Sequence, residues 1–149
     1  MFIDDVKVVV AVSTVNGAAG TTTITSAAVD TAGYAGCLFI VTLGPITAGA
    51  ATSLKVQQSS DDAASDAYDD LTGTAQTIAD TDDNLIRTCD IFRPQKRYLK
   101  MVIARATQNA TIGGVCAVLY GAKGVKPVSQ STSHVIGGET FLSPAEGTA

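Results

Sequence analysis

No stretch of this 149-residue chain keeps an apolar period of 3.6 residues through three turns, which argues against a helical core. What recurs instead is short β-rich segments broken by Gly, Pro, Asn and Asp. Lys7 to Thr14 is rich in β-branched residues, and Asn16-Gly17 behind it is a hairpin-type turn signal. Thr21 to Thr25 is strand-like. Gly36 to Leu43 is nearly all apolar, as in a strand buried on both faces, and Gly44-Pro45 is expected to stop it. Ser53 to Ser59 alternates, with Leu54 and Val56 to one side and Lys55 and Gln57 to the other. Residues 60–83 read as an acidic loop region around two short strands, Ala67 to Leu71 and Thr74 to Ile78. Leu85 to Phe92 is a further strand, and Arg93 to Lys96 a turn. Arg97 to Arg105 alternates best and puts Leu99, Met101 and Ile103 on one face. Asn109 to Gly114 reads as a turn and Val115 to Tyr120 as the last strand. About seven to nine short strands predict an all-β fold, a single antiparallel β-sandwich or jelly-roll-like barrel.

The β domain is expected to span residues 1–123, and residues 124–149 to form an extended C-terminal arm. The arm is rich in Gly, Ser, Thr and Pro, yet it carries two apolar pairs, Val135-Ile136 and Phe141-Leu142. A tail that served only solubility has no need of them, so these four residues are candidate interface residues, expected to order against a neighbour by adding a strand to a sheet edge.

Composition bears on partners. The chain holds 22 Ala, 19 Thr and 14 Gly and no Trp, so its core is thinly filled and oligomerisation would stabilise it. Only 16% of residues are charged and mean hydropathy is +0.25, which favours surface buried in a partner; a homo-oligomer is expected, a trimer first. A net charge of −4 argues against nucleic acid. No apolar run approaches the roughly 18 residues of a membrane helix. The acidic start and the five-residue run Val8 to Val12 do not make a secretory signal, so synthesis in a reducing cytoplasm is expected. Cys37, Cys89 and Cys116 match neither a disulfide framework nor a zinc site and read as small apolar residues, with one inter-strand disulfide as the alternative.

The chemistry-bearing motifs are missing. There is no phosphate loop, no His-Glu-x-x-His, no Gly-x-Ser-x-Gly and no paired CxxC, so no enzyme, metal or cofactor is expected. The lone His134 lies in the arm, away from any rigid scaffold that a catalytic triad requires. Asp61, Asp62, Asp66, Asp69 and Asp70 lack the calcium-loop pattern and read first as a solvated loop, then as an electrostatic docking patch and last as a metal site, with Asp61, Asp62, Asp69 and Asp70 as candidate interface residues. Residues 61–83 hold eight Asp and no cation, whereas residues 87–126 hold eight of the ten cations. That segregation allows attraction between copies or neutralisation within one chain.

Leu54-Lys55-Val56-Gln57-Gln58-Ser59-Ser60-Asp61-Asp62, then Tyr68, then Lys96-Arg97-Tyr98-Leu99-Lys100-Met101-Val102, then Val115 to Gly121 form a series. It resembles small β-sandwich structural proteins of tailed bacteriophages over residues 36–124, with Ala63 where those chains carry Gly. The resemblance implies a virion component, first a capsid cement (decoration) protein bound to the major capsid protein on the capsid surface. A head–tail connector or tail-tube ring is the alternative, and a ligand-binding β-sandwich module the second alternative.

Overall fold

A computed structural model describes residues 2–14, 17–124, 126–138 and 146. A short helix α1 (Phe2–Asp5) precedes β1 (Lys7–Val12), β2 (Ile24–Thr25), β3 (Val29–Asp30), β4 (Gly36–Ile46), β5 (Ala51–Ser59), β6 (Asp69–Asp70), β7 (Gln76–Ile78), β8 (Ile86–Phe92), β9 (Tyr98–Ala106) and β10 (Ala110–Tyr120). They form two antiparallel sheets. One has the order β1-β10-β4-β8; the other has β2-β9-β5-β6, with β3 also on β9 and β7 also on β5. The sheets pack face to face as the expected all-β sandwich and do not close into a barrel. Their strand orders are those of a two-sheet jelly roll. No described helix is long and apolar enough to cross a membrane.

Alternation decides the core. The inward residues Phe39 and Val41 of β4, Leu54 and Val56 of β5, and Leu99, Met101 and Ile103 of β9 are at most 1% exposed. Ala117 and Leu119 of β10 complete the opposite layer. Burying each of the larger side chains contributes about 1.5–3 kcal/mol.

Several expectations are corrected. Asn16 of the expected Asn16-Gly17 turn lies outside the described residues, and β1 pairs with β10, the last strand, and not with its neighbour in sequence. Only Ile24 and Thr25 of the Thr21 to Thr25 stretch lie in a strand; the chain breaks at Ser26 and resumes as β3 on the same partner β9. The Ser26 hydroxyl fills that break by accepting the Met101 N–H (2.9 Å), while Ser26 N–H donates to the Met101 carbonyl (2.9 Å). At the other edge of the same sheet, Ala67 to Leu71 shrinks to β6, and the Thr74 hydroxyl fills the gap before β7 by accepting the Val56 N–H (3.1 Å). Gly44-Pro45 does not stop β4. Pro45 is exposed, the register with β10 shifts beside it, and Ile46 N–H donates to the Asp83 carboxylate (2.5 Å), so no ladder donor is demanded of the proline. Asn109 to Gly114 is not only a turn, since β10 begins at Ala110 and absorbs Gly113-Gly114 as irregularities in its pairing. Gly36 to Leu43 is not buried on both faces: Leu38 and Ile40 point outward and are half-buried, and Thr42 is exposed.

Candidate functional site

The outward face of the β1-β10-β4-β8 sheet is apolar where an antiparallel sheet facing water is usually polar. Pairing places Val8, Val118 and Leu38 in one row and Val10, Cys116 and Ile40 in the next. All are half-buried except Val10, which is 40% exposed. The rows end on β8 at Asp90 and Thr88. Beyond the second row, Val10, Ile40, Thr42, Gly114 and Cys116 line a shallow apolar depression of about 210 Å³. At the margin the Tyr120 ring crosses β4 to donate its hydroxyl to Asp90 (2.7 Å). Gly36 permits the crossing, because any Cβ there would overlap the Tyr120 ring. Burial and then the Asp90 carboxylate push the Tyr120 hydroxyl up to about 12.

The described half of the arm borders this face. Val128 N–H donates to the Asp4 carbonyl (2.9 Å), and Lys126 pairs with Asp5. Gln130 works in both directions: its Oε1 accepts the Val8 N–H (3.0 Å) and its Nε2 donates to the Val6 carbonyl (2.7 Å). His134 Nδ1 accepts the Val10 N–H (3.3 Å). Residues 128–134 thus cover the free edge of their own β1 mainly through side chains. Of the four candidate arm residues, Val135 is half-buried and Ile136 fully exposed; Phe141 and Leu142 lie outside the described residues. Sequence reasoning missed Gln130 because a lone Gln in a polar segment carries no pattern. It missed the outer face because a continuous apolar run in β4 looks the same whether its second face is covered or bare.

The four candidate aspartates lie at the far end of β5. Asp61 caps its own loop, accepting from the Ser65 N–H (2.8 Å) and Asp66 N–H (3.1 Å). Asp62 accepts the Tyr68 hydroxyl (2.6 Å) and faces Lys100 (3.6 Å), whose ammonium lies 4.1 Å from the Tyr68 ring centre. Asp70 holds Lys55 (2.6 Å) and Gln57 (2.7 Å), and Asp69 is 3.9 Å from Lys96. The charge segregation is met in part within the chain: Lys96 pairs with Asp66 (2.9 Å) and Arg87 with Asp82 (3.2 Å), whereas Arg97 pairs with Asp30 (2.7 Å), outside the acidic stretch. The Lys96 ammonium, with the Ser60 N–H and hydroxyl, holds the Asp66 carboxyl down at about 2.

A concavity of about 740 Å³, open to solvent, is lined by Tyr34, Arg93, Lys96, Arg97 and Lys123 among others. Its Lys96 and Arg97 are the ion-paired cations just described, and the Arg93 guanidinium stacks 5.0 Å from the Phe92 ring centre. Among the described residues no three His, Cys, Asp or Glu side chains gather as metal ligands do. The cysteines are free, and burial pushes the Cys37 thiol up to about 12. No family model, curated protein or solved structure matches the chain.

Proposed function

We propose that this chain is a structural protein of a phage virion, a cement protein that binds the assembled head through the outer face of the β1-β10-β4-β8 sheet. That face carries the reading: six apolar side chains on three adjacent strands offer a broad flat surface suited to a protein partner, with none of the enclosure a small ligand needs. Two-sheet jelly rolls also recur in viral capsids, which is support by analogy alone. The partner in this reading is the major capsid protein, and the cement acts as a homo-oligomer on the virion surface. Binding only the assembled shell stabilises it by mass action, and several weak attachments per oligomer raise the effective affinity.

The test is co-sedimentation with heads assembled from the major capsid protein encoded alongside it. The full chain should pellet with heads and raise their melting temperature. Val10→Asp with Ile40→Asp, both on the outer face, should keep the fold and weaken binding at least tenfold, about 1.4 kcal/mol. Unchanged binding by that variant, or none by the full chain, would refute the reading.

A further inference from the structure

The sandwich has four lateral strand edges, and three are blunted. The arm covers β1. The β2/β3 edge is two two-residue pieces interrupted at Ser26, and the β6/β7 edge is two short pieces interrupted around Thr74. The fourth edge, β8, is seven residues long, keeps unbroken register with β4, and contains no Pro, Lys or bulge. Leu43 N–H donates to the Leu85 carbonyl (2.9 Å) and Arg93 N–H to the Ala35 carbonyl (2.8 Å), so the odd-numbered residues of this stretch bond to β4. The N–H and C=O groups of Ile86, Thr88, Asp90 and Phe92 therefore point away from the sheet. Among the described residues, the group that meets them is the Gln76 side-chain amide, which donates to the Thr88 carbonyl over a long 3.4 Å. Large apolar side chains stand exposed here as well: Leu85 at 55%, Ile86 at 63% and Phe92 at 60%. Edges of this kind are normally defended.

We infer that the free edge of β8 pairs with the same edge of a second copy, antiparallel about a two-fold axis at Cys89. The argument is self-complementarity. The unbonded groups belong to even-numbered residues, so even must face even. With the axis at Cys89 all four are used: Ile86 faces the second copy's Phe92, and Thr88 faces the second copy's Asp90. Two apolar pairs flank two polar pairs, and no like charges meet. An axis at Asp90 would instead set two carboxylates opposite each other, which is destabilising. Gln76 must swing aside, and a backbone N–H replaces its long bond to Thr88. The product is one eight-stranded sheet on which the apolar outer faces of both copies lie on the same side. This symmetry is two-fold, in contrast to the trimer expected from composition, and it does not depend on the capsid reading.

The test is the solution mass of the full chain by light scattering, with no capsid present. The expected result is twice 15.2 kDa. Ile86→Lys with Phe92→Lys sets like charges opposite each other and should give a folded monomer, with circular dichroism unchanged and a cooperative melt that no longer depends on protein concentration. Ile86→Lys with Phe92→Glu sets opposite charges at the same contacts and should restore the dimer. A monomeric or trimeric full chain overturns the inference, as does a dimer that the like-charge variant leaves intact. Since no head takes part, failure here is distinct from failure of the cement reading.

Discussion

Ala63 stands at φ 66°, directly after Asp62 at φ 57°, in the tight loop that follows β5. A left-handed backbone costs a residue with a Cβ about 1–2 kcal/mol, and it persists here because the loop is pinned. The buried Ser59 hydroxyl accepts the Ala63 N–H (3.0 Å) and donates to the Asp66 carbonyl (2.6 Å). Ala63→Gly should relieve the strain, offset in part by the greater freedom of Gly in the unfolded chain, for a net gain of about 0.5–1 kcal/mol. Chemical denaturation should show a raised midpoint with an unchanged slope; a lower midpoint would mean the strain lies elsewhere. The same loop shows why an acidic run is a poor guide to binding. Its carboxylates are loop caps and ion-pair partners before they are anything else, and Asp80 and Asp82 further along likewise accept the N–H groups of Gly49 and Ala79.

At the scale of elements the lesson is how strand edges are closed. Ser26 and Thr74 place a hydroxyl where a broken strand lacks a backbone group, one in each outer strand of the same sheet. Gln130 does the same for β1 from more than a hundred residues away in sequence. Gln130→Ala leaves the Val8 N–H and Val6 carbonyl without that partner and should cost about 1–2 kcal/mol in docking of the arm. Hydrogen exchange should reveal it as faster exchange at Val8 and Val10, with Val9, whose pairing to Ala117 is untouched, unchanged. Equal acceleration at all three would mean that β1 itself has loosened.

Across the whole molecule, cations draw the carboxyls of Asp30, Asp66 and Asp70 below their ordinary value of 3.8: Arg97, Lys96 and Lys55 in turn. A carboxyl depressed in the folded state binds protons less readily than when unfolded. Its stabilising contribution is complete above 3.8 and is lost as pH falls, for Asp66 through about 2. Melting temperature should therefore fall with acidification through that window. Asp66→Asn should melt lower than the parent at neutral pH and fall less steeply below pH 3.8. The Lys96–Asp66 pair is half-buried and the other two are exposed, so all remain open to screening and added salt should shrink the difference. An identical acid slope in parent and variant would remove Asp66 from the explanation.

Period-two alternation in Ser53 to Ser59 and Arg97 to Arg105 was enough to fix the fold class and the inward residues Leu54, Val56, Leu99, Met101 and Ile103, because alternation is a local consequence of the pleat. Turn chemistry was less decisive. Gly44-Pro45 and Gly113-Gly114 lie within strands, since neighbouring strands and an Asp83 carboxylate supply what the local sequence denies. Whether Leu38 and Ile40 were covered, which edge the arm would close and where β8 would stand open depended on contacts between residues up to 124 positions apart. Exposure and pairing across such distances are properties of the assembled sheets, and only the tertiary structure decided them.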